Sequence, residues 1–289
     1  MTSMGIQYAI LFGLIAMVGS GLSGVIAREP VRALGSDRAL FWRGVVMVTL
    51  HIPLLFLFSS KAITWQGIAL ALGVGMIGYL PIYFFFRAIS HGRVGVVSPI
   101  SNSSAVITAM LAVFILGEPF GAYRIYGLFL VLSGVILLSV NFSDWKNSAL
   151  LRHESGIPFA VAACLGWGVV MFLFRYPIGL IGPVPTSFIV ETVILSFAAL
   201  RLRSKRESFA LTKDFHIPIA LVGVFGVIGV VAYDFGLTTS AVAIVAILNM
   251  TNPVVSAAYE HFAFGEKLSL RQYAGMALAI VGAVAVSVF

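Results

Sequence analysis

Charged side chains are rare in the apolar stretches of this sequence, so the few that occur there carry the most chemical information. Glu191 sits in "TSFIVETVILSF", where an unpaired carboxylate would cost several kcal/mol. Such a group can hold the ammonium of a bound solute or a coupling proton. Glu260, in "AAYEHFAF", offers the same chemistry, although it lies about one turn from the end of its stretch and snorkelling or capping is the alternative. Arg43, in "FWRGV", suits a carboxylate in a cavity or a lipid headgroup, and the sequence does not choose between them. His51 is a lone histidine whose simplest role is hydrogen-bonded packing. All of this is binding chemistry. The chain has no H-E-x-x-H, no G-x-S-x-G and no pair of aspartates in an apolar run, so an integral-membrane enzyme is not expected, nor is a metal or cofactor.

Uncharged polar residues form two further groups. Ser98, Ser101, Asn102, Ala105 and Thr108 recur at spacings of three and four, which places them on one helix face. Asn249, Asn252, Ser256, Tyr259 and Glu260 do the same later in the chain. In hydrocarbon such a face is stable only against another helix or a wet cavity. Helix-to-helix hydrogen bonding accounts for any one serine; two matching faces favour a cavity lining. Tyr79 and Tyr83, four apart, and Trp167, deep in its run, add broad apolar surfaces with one hydrogen-bonding atom each, suited to gripping a small amphipathic solute. Trp42, Trp65 and Trp145 lie near the ends of apolar runs and fit an interfacial belt.

The elements that must position these residues follow from composition. Of 289 residues 60% are hydrophobic and 10% charged, and the mean hydropathy is +1.04. A soluble domain carries about 25% charged residues, so the chain is read as one membrane-embedded unit. The net charge of +7 is spread over short loops, which excludes a nucleic-acid-binding face. Apolar runs punctuated by Gly, Pro and charge predict ten spans: 6–27, 39–60, 66–88, 94–116, 122–141, 156–178, 184–200, 216–236, 242–264 and 270–289. The first lacks a preceding positive charge and is too long for a signal-peptide core. Cys164, the single cysteine, excludes an internal disulfide.

"GEPFGAYRIYG" at 117–127 returns 148 positions later as "GEKLSLRQYAG". The same shift matches Gly75 with Gly223, Gly78 with Gly226, Phe114 with Phe262 and Gly134 with Gly282, while a shift of 147 matches Arg28 with Arg175, Pro30 with Pro177 and Gly35 with Gly182. Collinear matches of this kind indicate a duplication, divided here as 1–145 and 146–289. Five spans per unit is odd, so the second unit must enter the membrane from the opposite side. Inverted repeats give inward-open and outward-open states of similar energy around a midplane site, the plan of secondary transporters. Fifteen of the eighteen Lys and Arg residues fall in connections after odd-numbered spans, which predicts both termini outside the cytoplasm.

With "LGEPF...YGLFLVLSGVILL" and "FGEKL...YAGMALAIVGAVAV" closing two five-span units, and "FWRGV" opening the second span, the whole chain resembles the EamA-type members of the drug/metabolite transporter superfamily. The resemblance implies an all-α, ten-helix basket in the plasma membrane, the bacterial inner membrane, with spans one to four and six to nine around a cavity and five and ten outside. It implies export or exchange of amino acids and other small metabolites by alternating access, with Tyr79, Tyr83 and Trp167 at cavity-facing positions; proton coupling, by contrast, is an expectation raised by Glu191 itself. Membrane lipid and a small-molecule substrate are the expected partners. A flippase of lipid or lipid-linked sugar and an antiporter of phosphorylated metabolites are the alternatives within the superfamily. The first half has "SPISNSSAV" where many members carry a later proline; the second keeps it as Pro253.

Two motifs are assigned to structure. "GVGMIG", 73–78, satisfies G-x-G-x-x-G inside a membrane span and after no strand, so close helix packing is expected and not a nucleotide. Gly117 and Gly265 are expected to end helices in left-handed caps, Glu118 and Glu266 to accept from amides starting the next helix, and Gly127, Gly134, Gly275 and Gly282 to give that helix a packing face.

Overall fold

A computed structural model describes residues 3–58, 61–92, 94–118, 121–139, 156–239, 242–265 and 268–288. The long apolar runs leave the backbone no partner but itself, and among the described residues all regular structure is helical. In chain order the helices are α1 (Ser3–Ile26), α2 (Arg28–Leu34), α3 (Ser36–Phe58), α4 (Trp65–His91), α5 (Val94–Asn102), α6 (Ser104–Leu116), α7 (Ala122–Ser139), α8 (Ile157–Leu173), α9 (Arg175–Ile181), α10 (Pro183–Ser204), α11 (His216–Leu237), α12 (Val242–Met250), α13 (Asn252–Phe264) and α14 (Leu270–Val288). Seven helical stretches are long and apolar enough to cross a membrane, and Ile100–Leu116, Ala122–Leu138 and Leu270–Val286 are shorter apolar helices. The chain is a multi-pass helical membrane protein. The boundary predicted at 145/146, Trp145 and the repeated Glu266 lie outside the described residues.

Predicted spans differ from observed helices where the chain bends. Gly35 (φ 84°) and Gly182 (φ 89°) occupy a backbone region that side chains disfavour, and each joins a short helix (α2, α9) to the next long one (α3, α10). The fourth and ninth spans, read as continuous, are each divided: α5 gives way to α6 at Ser103 and α12 to α13 at Thr251. At the second division Pro253 cannot donate a backbone hydrogen bond. The Asn249 carbonyl accepts instead from Asn252 Nδ2 at 2.9 Å.

α7 and α14 pack on each other through the four glycines. A Cβ on Gly127 would stand 2.6 Å from Val286 Cγ2, and one on Gly282 2.6 Å from the Val131 nitrogen, so only glycine permits this approach. Gly117 (φ 65°) and Gly265 (φ 65°) end α6 and α13 in left-handed caps, as expected. Glu118, expected to serve the start of α7, has its observed partners elsewhere. Its Oε1 accepts from Val242 N at 3.0 Å and its Oε2 from Ala243 N at 3.1 Å, so this carboxylate caps α12 in the other half of the chain. Arg175 Nη1 stands 3.6 Å from the same carboxylate.

Candidate functional site

The remaining long helices enclose a central cavity of about 170 Å³. Its walls are mostly apolar: Ile82, Phe85, Phe86, Trp167, Val170 and Phe174 contribute from α4 and α8 and their continuation. Phe85 and Trp167 pack with ring centroids 4.9 Å apart. The polar side is built where the two divided spans meet. Asn102 ends α5 and Asn252 begins α13, and their amides exchange hydrogen bonds: Asn102 Nδ2 donates to Asn252 Oδ1 at 3.0 Å and Asn252 Nδ2 to Asn102 Oδ1 at 3.0 Å. Asn102 Nδ2 also donates to Ser98 Oγ at 3.1 Å. With the bond from Asn252 to the Asn249 carbonyl, the donors and acceptors of both amides have partners.

Arg43 from α3 and Glu191 from α10 meet in the cavity wall. Nη1 donates to Oε2 at 3.0 Å and Nη2 to Oε1 at 3.1 Å, the two-pronged geometry in which a guanidinium matches a carboxylate best. Their side chains are 8% and 5% exposed, so each charge depends on the other. The cavity thus contains a desolvated cation beside a desolvated anion. Arg43 is the only Lys or Arg among the described lining residues.

A second carboxylate lies in the same wall. Asp234 on α11 is 1% exposed, and Ser187 Oγ from α10 hydrogen-bonds its Oδ2. The neighbouring Tyr233 hydroxyl, buried, and Asn249 Oδ1 have no hydrogen-bond partner among the described residues. Both belong to cavity-lining residues. Other cavity hydroxyls are engaged with backbone: Ser23 Oγ donates to the Val222 carbonyl at 2.9 Å, Thr108 Oγ1 to that of Gly168 at 3.0 Å and Ser256 Oγ to that of Gly21 at 3.0 Å. These bonds hold helices together, the role weighed against cavity lining for a single hydroxyl.

Of the twelve candidates drawn from the sequence, Ser98, Asn102, Trp167, Glu191, Asn249, Asn252 and Ser256 line the cavity, while Tyr79, Tyr83, Ser101, Tyr259 and Glu260 do not. α4 presents Gly78, Ile82, Phe85 and Phe86 to it, and the two tyrosines fall on the flank toward α10. Tyr79 stacks on Tyr83 (5.8 Å) and Phe197 (5.3 Å). The Tyr83 hydroxyl accepts from Arg201 Nη2 at 2.6 Å, and Arg201 in turn pairs with Asp37 at 2.8 Å. Ser101 Oγ donates to the Ala160 carbonyl at 3.4 Å. Tyr259 is half-buried on α13, and Glu260 pairs with Arg28 at 3.4 Å. His51 is fully buried and bonds the Met47 carbonyl at 2.8 Å, in line with packing.

Asp234 and Tyr233 are absent from the sequence-derived set. The available signal was that Asp234 is the only aspartate within any predicted span; its place two residues from the end at 236 obscured it.

Comparison with known proteins adds the family. An uncharacterized transporter of Archaeoglobus fulgidus is 20% identical over 279 residues, covering 94% of this chain and 95% of that one. A solved crystal structure shares the fold at a TM-score of 0.77, with 18% identity and 97% of each chain covered. The model of the EamA-like transporter family matches residues 7–140 and again 154–288. The chain therefore belongs to the EamA-like transporter family, and it is a membrane transporter.

Proposed function

We propose that this transporter exports small zwitterionic metabolites, amino acids foremost, by alternating access through the central cavity. The Arg43–Glu191 pair carries the reading. A guanidinium and a carboxylate in mutual contact are complementary to the carboxylate and ammonium of one amino acid, which can insert between them and replace each charge's partner. The apolar wall of Phe85, Trp167 and Phe174 suits the solute's side chain, and the unpartnered Tyr233 hydroxyl and Asn249 oxygen suit its polar edge.

Alternating access is supported by how the halves meet. Arg43 lies eight residues after Gly35 and Glu191 nine after Gly182, so nearly equivalent positions touch. Equivalent residues touch only near the axis that relates their units. The reciprocal asparagines at the two span divisions behave alike, and Gly127 meets Gly282 just as its repeat counterpart Gly275 meets Gly134. Ten crossings in two inverted units, with both termini outside the bacterial inner membrane, accommodate these contacts and place the ion pair near the midplane.

The phosphorylated-metabolite alternative fits less well. A phosphorylated substrate needs several buried bases, and the lining offers one Arg against two carboxylates. Counterflow of radiolabelled amino acids in proteoliposomes tests the proposal: exchange supports it, and lipid scrambling without amino-acid exchange overturns it.

A further inference from the structure

Asp234 is a buried carboxyl that the ion pair does not use. Among the described residues its hydrogen-bond partner is Ser187, and no basic group pairs with it. The charged groups on the helices packed around α11 are few. α1 and α12 carry none. From α3 and α10, Arg43 and Glu191 neutralise each other, and Arg201 is held by Asp37. His51, also on α3, is bonded to the Met47 carbonyl, and Arg175 of α9 stands against Glu118. Tyr233 adjoins Asp234 on its own helix, whose first residue is His216, and Lys213 and Asp214 lie in the turn before it.

The hydroxyl of Ser187 has one proton and two acceptors within reach: the Pro183 carbonyl at 3.1 Å and Asp234 Oδ2. Both contacts are satisfied together when Asp234 supplies a second proton. The Asp234 O–H then donates to Ser187 Oγ, and the Ser187 O–H donates to the carbonyl of Pro183. A neutral carboxyl also removes the cost of a buried, uncompensated carboxylate.

We propose that Asp234 is a proton-carrying site, occupied by a proton in the arrangement described, and that its proton couples solute movement to the pH gradient. This rests on the transporter reading above. When the cavity opens to water, the carboxyl O–H bond breaks, the proton leaves as hydronium and a hydrated carboxylate remains. The cavity recloses readily only after Asp234 has taken a proton from water again or has a cationic group of the solute beside it, because burying the bare carboxylate is costly. Glu191, fixed to Arg43, keeps the other role its sequence position suggested, holding the ammonium of the solute.

Infrared difference spectra of the purified full-length protein in lipid, recorded as pH is raised, read this site without any solute. The wild type is expected to show the carbonyl stretch of a protonated carboxyl at neutral pH. Asp234→Asn is expected to lack it, and Glu191→Gln to keep it; Ser187→Ala, a milder change, should move the band. In proteoliposomes, accumulation of radiolabelled phenylalanine driven by a pH gradient should fall at least about tenfold in Asp234→Asn, and its counterflow should lose its pH profile. A band that persists in Asp234→Asn, or is missing from the wild type, overturns the proton site. A lost band with an unchanged pH profile overturns its coupling role. An Asp234 band in a protein that exchanges no amino acid supports the proton site while removing the amino-acid reading.

Discussion

Arg43 and Glu191 face each other through two hydrogen bonds of 3.0 and 3.1 Å, each helix bringing its charge to the same cavity wall. Removing one partner strands the other in a low-dielectric surround, which costs about 3–5 kcal/mol. Arg43→Met and Glu191→Leu should each lower the thermal unfolding midpoint in detergent, and the double variant should recover most of the loss. Equal midpoints for the single variants and wild type would show that the pair is not held.

Trp167 and Tyr83 should separate in their effects. Trp167 lines the cavity against Phe85, so Trp167→Ala should raise the apparent KM for amino-acid counterflow while leaving folded protein in place. Tyr83 holds Arg201, with the guanidinium 4.3 Å above its ring. Tyr83→Phe keeps the ring but loses a charge-assisted hydrogen bond, about 1.5–3 kcal/mol when fully buried and less at this partly exposed site. A lower unfolding midpoint with an unchanged apparent KM is expected, and kinetics together with a thermal melt check both.

Glu118 caps α12 across the two halves. Glu118→Ala leaves two amides without their acceptor and should cost about 0.5–2 kcal/mol. Hydrogen exchange should report it as faster exchange of the Val242 and Ala243 amides, with the α7–α14 contact unaffected.

Gly127→Leu or Gly282→Leu would drive a side chain into backbone across the α7–α14 contact. Overpacking of a fitted interface costs about 1–3 kcal/mol, and more against rigid backbone. Gel filtration in detergent should show a reduced yield of monodisperse protein for either variant.

Much of this organisation was legible in the sequence because membrane insertion demands it. Long apolar runs have to be helices, and a paired "GE" turn marks both helix ends regardless of what packs nearby. The cavity faces were half legible: spacing put Ser98 and Asn102 on one side, and Ser101, at spacing three, turned out to bond the Ala160 carbonyl. Helical spacing fixes a direction to within a residue or so, and Tyr79 and Tyr83 fall just outside that margin, beside Gly78 and Ile82. Partners far apart in sequence were not legible. Nothing local to Arg43 announces Glu191, nor does anything near Glu118 announce α12. The span divisions at Ser103 and Thr251 were hidden because the backbone stays close to helical there, with ψ of −9° and 5°.

The most direct test is competition against phenylalanine counterflow in proteoliposomes by three relatives: the amino acid itself, its decarboxylated amine and its deaminated acid. If Arg43 and Glu191 receive a zwitterion, unlabelled phenylalanine competes, while loss of either charge weakens competition at least about tenfold, or 1.4 kcal/mol. Equal competition by all three, or by the amine and acid in preference to the amino acid, contradicts the account.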